Sequence, residues 1–302
     1  MAHRQESLAV GVGPRASQGW QRSVLRYLQI ARRKQLGTVS GLVFLGICFL
    51  AVFADVVSPY SPYFQDRIAT LEAPSMKHWL GTDDVGRDLL SRIIHGARIS
   101  LYVGIVAVGI GITAGTFLGM VSGYFGGKID MVIQRIIDAL MAFPLLVLAL
   151  AIVAVLGSST TNVMIAVGIT MIPGASRVVR GAVLSVKQEQ YVEAARALGA
   201  LDGRVMFQHI LPNVMAPVLV LATLAMGRAI MWEATLSFLG VGTQPPEPSW
   251  GSMLSGYARQ YFELAPWNAF FPGVAISFAI MSINLFGDAL RDILDPRQRG
   301  AV

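Results

Sequence analysis

Long apolar runs separated by short polar segments dominate the residue pattern of this chain. A helix needs about 20 apolar residues to cross a bilayer, because each backbone amide must be hydrogen-bonded within the segment once water is excluded. The pattern therefore predicts an all-α membrane protein. Its six predicted transmembrane helices cover residues 37–57, 99–123, 137–157, 162–179, 214–240 and 270–290.

Composition supports this prediction, since 54% of the residues are hydrophobic and only 14% are charged. The net charge of +6 does not favour nucleic-acid binding, because the basic residues are scattered among loops instead of forming one stripe with aromatic residues. Attraction to lipid headgroups is a sufficient explanation for this charge. The long segment 1–36 before the first run favours an uncleaved helix over a signal peptide.

The distribution of lysine and arginine predicts the orientation in the membrane. Of the 24 basic residues, 17 fall on the side of the two termini, six fall on the opposite side, and Arg228 lies within a span. The tails 1–36 and 291–302 are therefore expected in the cytoplasm, and segment 58–98 is expected outside. The long loop 180–212 is expected on the cytoplasmic side.

Glycines near the end of the second predicted span suggest a phosphate-binding loop, GYFGGKI at 123–129. The nucleotide-binding motif needs a glycine where Ser122 stands and a hydroxyl residue where Ile129 stands. The segment is therefore expected to be a tight turn without a nucleotide. Upstream, glycine at every fourth position predicts close contact with another helix. These residues are Gly111, Gly115, Gly119 and Gly123.

Three prolines fall within or beside the predicted spans and are expected to bend their helices. They are Pro144, Pro173 and Pro217.

The loop 180–212 is longer than a connection between adjacent membrane helices requires. Within it, QEQYVEAARAL predicts a short helix ended by Gly199, and Asp202 is a candidate N-cap for a second helix that runs to Pro212. Small alanines would let a partner approach the first helix, and charged residues would fix its position. The alternative is an amphipathic loop that lies on lipid headgroups. The alanines are Ala194, Ala195 and Ala197, and the charged residues are Glu189, Glu193 and Arg196.

This loop resembles the EAA motif of the membrane subunits of ATP-binding-cassette importers. One position departs from the motif, because His209 stands where isoleucine is usual. The resemblance implies that the loop forms a coupling helix that docks on a separate ATPase subunit, which holds the ATP and magnesium. No cofactor is then expected in this chain. The matching residues are Glu193, Ala194, Ala195, Gly199, Leu211 and Pro212.

Three further segments, 80–93, 237–254 and 284–297, resemble the C-type permease of dipeptide, oligopeptide, nickel and glutathione importers. The resemblance implies the type I importer permease fold, with one peripheral N-terminal span and a five-helix core at 99–290. It also implies a bacterial or archaeal cell membrane and import by alternating access. The implied partners are a homologous B-type permease, two ATPases and an extracytoplasmic substrate-binding protein. Peptides are the expected substrate, and nickel and glutathione are the alternatives.

Two ionisable residues, Arg228 and Glu233, fall within the fifth predicted span, where a charge is costly. Five residues apart, they lie on different faces of a helix and are not expected to pair. They are candidates for the pathway or gate, and a structural contact with another subunit is the alternative.

No catalytic constellation is apparent, because the four histidines are far apart and neither HExxH nor GxSxG occurs. A membrane-embedded enzyme would need such residues. A secondary transporter that acts alone would need several intramembrane carboxylates, and beyond Glu233 only Asp138 and Asp288 are candidates. It would also leave the long loop unexplained.

The charged segment HWLGTDDVGRDLLSR at 78–92 has polar and apolar residues on opposite sides of a helix. It predicts an interfacial amphipathic helix that begins at Thr82 or Asp83 and braces the outer side of the bundle. We expect the substrate-binding protein to contact it. The alternative is a metal site, but three arginines on the same side would repel a cation. The possible ligands are Asp84, Asp88 and His95, and the arginines are Arg87, Arg92 and Arg98.

Overall fold

The computed structural model describes residues 35–294, whose regular secondary structure is helical apart from one isolated β-bridge between Thr82 and Asp88. The all-α prediction is confirmed. Most of both predicted tails, at 1–34 and 295–302, lies outside the described residues. The helices are α1 (Gln35–Val52), α2 (Ala54–Val57), α3 (Leu89–Phe125), α4 (Gly127–Met141), α5 (Leu145–Leu156), α6 (Thr160–Val186), α7 (Gln190–Ala197), α8 (Asp202–Arg204), a π-helical segment (Val205–Ile210), α9 (Leu211–Phe238), α10 (Trp250–Leu254), α11 (Tyr257–Gln260) and α12 (Trp267–Leu294).

Five helical stretches are long and apolar enough to cross a membrane: α1, α3, α6, Asp202–Phe238 and α12. The third predicted span, 137–157, is wrong as a single helix, because α4 and α5 meet at 91°. Pro144 stands at the start of α5 and has no N–H to continue the hydrogen bonding of α4. If α4 and α5 are one broken span, the described part has six. Pro173 and Pro217 lie inside α6 and α9 without interrupting them.

The segment before α3, residues 58–88, forms an irregular cap over one end of the bundle. The predicted amphipathic helix is wrong in its first half, because Gly81 and Gly86 have positive φ values of 84° and 78°. Neither Thr82 nor Asp83 caps a helix. Instead, Asp88 caps α3 by accepting a hydrogen bond from the Ser91 backbone N–H at 2.8 Å. The helical half of the pattern is the first part of α3 itself.

The glycine strip of α3 packs directly on α6, as its spacing predicts. A Cβ atom on Gly115 would lie 2.4 Å from the Cβ of Ala175, and one on Gly119 would lie 2.4 Å from the carbonyl oxygen of Ser176. Side chains larger than hydrogen would therefore separate the two backbones. Each end of the strip shows the same close contact with α6, at Gly111 and Gly123.

Helix α1 lies at the periphery and keeps most of its apolar side chains exposed. Its contact with the bundle is made by small residues, since a Cβ on Gly37 would lie 2.3 Å from the Cβ of Ala289 in α12. The hydrophobic core lies among α3, α6, α9 and α12. This arrangement agrees with one peripheral span beside a core bundle.

Candidate coupling and gating sites

The coupling loop (180–212) is partly helical, because α6 continues to Val186 before the chain turns into α7. The short helix that the sequence predicts is present at Gln190–Ala197. Gly199 follows it with a φ of +80°, a conformation that side chains with a Cβ rarely adopt, and no atom lies within 4 Å of a Cβ placed there. Glycine is therefore needed here for the backbone conformation and not for space within this chain.

The outer face of α7 is exposed and combines small alanines with polar and charged residues. Ala194 and Glu193 are exposed and Ala195 is partly buried. At the end of the helix, Leu198 is 89% exposed and Leu201 is 80% exposed. Within the described residues, the Glu193 carboxylate makes no hydrogen bond or ion pair, although the Glu193 backbone N–H donates to the carbonyl oxygen of Glu189. Large leucines exposed beside small residues form a surface that can accommodate another protein.

The inner face of α7 is attached to the bundle. Val192 is fully buried. The guanidinium carbon of Arg196 lies 4.8 Å from the ring centroid of Tyr124, near the end of α3. The Tyr124 hydroxyl donates a hydrogen bond of 2.6 Å to Asp202. Asp202 is therefore not the predicted N-cap of the second helix, because its carboxylate bonds Tyr124 and α8 has no side-chain cap.

The turn at 123–129 is present as predicted, with positive φ at Gly126 and Gly127. An ion pair below it joins α4 to α6. The Arg180 Nε and Nη2 atoms lie 2.7 and 2.5 Å from the carboxylate oxygens of Asp130, which also accepts a hydrogen bond from Ser122. No sequence pattern pointed to this pair, since the two residues are 50 positions apart.

Glu233 is fully buried where α9 meets α3 and α10. Its carboxylate accepts hydrogen bonds from the hydroxyls of Ser100 at 3.0 Å and Ser237 at 2.8 Å. Ser100 and Ser237 also accept hydrogen bonds from the backbone N–H groups of Trp250 and Thr243. The glutamate thus fastens three segments at the end of the bundle that carries the cap.

Arg228 lies on the exposed side of α9. As the spacing predicts, no ion pair joins it to Glu233, and no partner is found for it among residues 35–294. The two candidate residues are therefore separated, with one charge at the surface of this chain and one inside it. An exposed arginine within a span requires a partner subunit or a water-filled path next to it.

The cap contains a compact charge cluster around Asp83. Its carboxylate lies 2.6 Å from Arg87 Nε and 3.4 Å from Arg92 Nε. Burial, together with the neighbouring Asp83 carboxylate, raises the pKa of Asp84 above that of a free aspartate. A cavity of 370 Å³ lies between this cluster and the segment 240–258.

The three possible metal ligands of the cap are not brought together. Asp88 pairs with the buried His78 at 2.9 Å, and His95 pairs with Asp55 at 3.2 Å. Within the described chain, no three metal-ligating side chains converge. Arg87 Nη2 lies 3.9 Å from the Asp84 carboxylate, and Arg87 Nε lies 2.6 Å from that of Asp83.

Comparison with known proteins places the chain in a family. Residues 115–300 match the binding-protein-dependent transport system inner membrane component, and residues 22–74 match the N-terminal TM domain of oligopeptide transport permease C. The methionine ABC transporter MetNI, solved in inward-facing conformations, has the same fold: the TM-score is 0.56 at 17% identity, over 68% of this chain and 98% of that one.

Several curated relatives are similar along nearly their whole length. The dipeptide transport system permease protein DppC of Alkalihalophilus pseudofirmus is 44% identical, over 89% of this chain and 88% of its own. The glutathione transport system permease protein GsiD of Escherichia coli O157:H7 is 45% identical, over 89% of each. The di/tripeptide permease of Pseudomonas aeruginosa is 45% identical, over 88% of this chain and 89% of its own. The chain therefore belongs to the C-type permease subunits of the dipeptide, oligopeptide and glutathione ATP-binding-cassette importer family.

Proposed function

We propose that this chain forms half of the translocation pathway of an ATP-driven importer of di- or oligopeptides in a bacterial cell membrane. The observation that carries the proposal is its similarity, over nearly nine tenths of both chains, to a dipeptide permease and to a di/tripeptide permease. A homologous B-type permease would form the other half. A substrate-binding protein would deliver the peptide at the cap.

ATP hydrolysis belongs, in this proposal, to two separate ATPase subunits that hold ATP and magnesium. The exposed face of α7 supports their docking here. Its small residues are followed by two exposed leucines, which lie on either side of the turn at Gly199. Glu193, Ala194, Ala195 and Gly199 would contact the ATPase groove. The side of the membrane follows from the basic residues, so that the coupling loop and both termini are cytoplasmic.

Arg228 and Glu233 would serve the gate in different ways. Arg228 would face the pathway or the B-type permease, because it is exposed in this chain and an intramembrane charge requires a partner or water. Glu233 would hold the outer ends of α3, α9 and α10 together through its hydroxyl contacts. Its burial supports a role within the subunit and not direct contact with substrate.

Glutathione is the second candidate substrate, and it is favoured by the 45% identity to two glutathione permeases. Glutathione is itself a tripeptide, so both candidates present free amino and carboxylate groups on a peptide backbone. In either case, the permease must therefore transport a substrate with the same functional groups.

The test is uptake into proteoliposomes that contain this chain with the B-type permease, ATPases and binding protein encoded beside it. Labelled dipeptide, pentapeptide, glutathione and nickel are each supplied with internal ATP. We expect ATP-dependent uptake of a peptide that excess glutathione does not displace. Uptake of glutathione alone would establish the second candidate, and uptake of nickel alone would contradict both.

A further inference from the structure

Tyr124 connects the coupling loop to α3 through both parts of its side chain. Its hydroxyl bonds Asp202, which follows α7, and its ring lies under the guanidinium of Arg196, in the last turn of α7. Tyr124 itself is buried, with 7% of its surface exposed, whereas Arg196 and Asp202 are exposed. One tyrosine therefore holds the far end of α7 and the start of the next helical stretch.

A second contact fastens the near end of α7 to the same place. Lys187 Nζ, between α6 and α7, donates a hydrogen bond of 2.8 Å to the carbonyl oxygen of Gly123. Attachments before, within and after α7 thus converge on residues 123 and 124. A displacement of α7 is transmitted to the end of α3, because no slack segment separates the two.

Helix α3 is suited to carry such a displacement across the membrane. It has 37 residues without a proline, and at 1.5 Å per residue it is about 55 Å long. At its other end Ser100 bonds the buried Glu233, and Arg92 donates to the carbonyl oxygen of Pro62 in the cap at 3.1 Å. The same helix therefore joins the coupling loop to the outer gate and cap.

We propose that Tyr124 is a positioning residue that holds the coupling loop to α3, so that movement of α7 on the ATPase is converted into movement of α3. The inference rests on the proposed docking of α7 on an ATPase. The hydroxyl and the ring make separable contributions: the Asp202 hydrogen bond is charge-assisted, and Arg196 is held by a cation–π contact. Without them, only the Lys187 contact to Gly123 joins this part of the loop to the end of α3, so α3 follows α7 less closely.

The test uses the complete reconstituted complex and measures substrate taken up per ATP hydrolysed. Tyr124→Phe removes only the hydroxyl, and Tyr124→Leu removes the hydroxyl and the ring face. We expect this ratio to fall about threefold in the first variant and about tenfold in the second, while the ATPases still copurify. Tyr102→Phe is the matched control, since Tyr102 lies on the same helix, is 58% exposed and has no hydroxyl partner in the described chain; its ratio should equal that of the wild type.

A double-variant cycle separates a positioning role from a general structural one. If the hydroxyl acts through Asp202, then adding Asp202→Asn to Tyr124→Phe lowers the ratio no further. Wild-type ratios in both Tyr124 variants would overturn the proposal, and so would a parallel loss of ATPase copurification and uptake. Failure of the proposed docking is distinguishable, because Ala195→Glu on the outer face of α7 would then leave substrate-stimulated ATPase activity normal.

Discussion

Arg180 donates two parallel hydrogen bonds to the Asp130 carboxylate, and this ion pair connects the amphipathic helix α4 to α6. A fork-shaped pair of this kind is stronger and more directional than a single contact. A second pair between the same helices, Arg177 with Asp138 at 2.6 Å, is about half exposed at both side chains. The two pairs therefore allow the contribution of a partly buried ion pair to stability to be compared with that of an exposed one.

We expect Asp130→Asn to destabilise the folded chain by about 1–3 kcal/mol, because it leaves a partly buried guanidinium without its carboxylate. Asp138→Asn is the control and should change stability by less than about 1 kcal/mol, since water already screens that pair. Thermal unfolding of the purified protein in detergent measures both. Equal shifts in the two variants would show that burial does not distinguish the pairs.

The glycine strip predicts that alanine substitutions on α3 affect stability differently at packed and at open positions. Gly115→Ala should lower the midpoint of thermal unfolding, because its methyl group would lie 2.4 Å from the Cβ of Ala175. Gly109→Ala, on the same helix, has no neighbour within 4 Å and should be neutral or stabilising by up to about 1 kcal/mol. Loss of stability in Gly109→Ala would mean that helix flexibility, and not close packing, explains the glycines.

Coupling variants test the surface of α7. Ala195→Glu and Gly199→Val should each abolish substrate-stimulated ATPase activity while the complex still reaches the membrane. For Gly199→Val the reason is the φ of +80°, which a β-branched residue does not tolerate. Gly199→Asn is the matched control for the backbone, because asparagine adopts this conformation more readily, and it should retain part of the stimulation. Normal stimulation in Ala195→Glu would contradict the docking assignment.

Substitutions of Glu233 are expected to lower stability in graded steps. Glu233→Gln keeps an oxygen that can accept a hydrogen bond from Ser100 or Ser237, so its stability should change little. Glu233→Leu leaves both buried hydroxyls without this acceptor and should destabilise the chain by about 1–3 kcal/mol. Thermal unfolding measures the series, with uptake as a second readout. Equal stability of all three proteins would show that the carboxylate does not fasten the ends of the helices next to the cap.

Two aspartates of the cap are predicted to contribute to stability with opposite dependence on pH. Burial and Asp83 raise the pKa of Asp84, so ionisation of Asp84 destabilises the folded state as pH rises past about 4. Asp84→Asn should therefore raise the unfolding midpoint at pH 7, with the gain disappearing at lower pH.

Asp66 is the matched control, because hydrogen bonds from the Ile68 backbone and Lys77 lower its pKa. Its stabilising effect is present at pH 7 and is lost as pH falls through the lowered pKa. Asp66→Asn should therefore lower the midpoint at pH 7 and not in acid. Unfolding scans from pH 7 down to about pH 2 measure both variants, because the lowered pKa of Asp66 lies below the ordinary aspartate value of about 3.9. Shifts of the same sign at pH 7 would contradict the assignment.

Sequence reasoning located the helices because length and apolarity suffice to identify a span. It expected a bend at Pro144 but still treated 137–157 as one span, since hydropathy carries no information about direction and did not predict the 91° angle between α4 and α5. It placed a helix start at Thr82 or Asp83 because the 100° periodicity is real from Leu89 onward, but Gly81 and Gly86 turn the backbone before that point.

The contacts that organise the candidate sites were beyond such reasoning. The Tyr124 contact to Asp202 and the Ser100 contact to Glu233 join residues 78 and 133 positions apart. No periodic pattern links positions so distant, and a single sequence does not show which helices pack together. The α7 helix and Gly199 were predictable because their signals are local.

The contact between α3 and α6 through the glycine strip limits how the bundle can deform. With backbones this close, sliding one helix past the other would drive Cβ atoms of α6 into the α3 main chain, so the two must shift together. Arg180 lies on α6 and grips Asp130, so α4 follows the same motion. In the proposed coupling, a push on the short helix α7 would therefore move three helices as one block, and the remaining helices would accommodate the change at their boundaries with it.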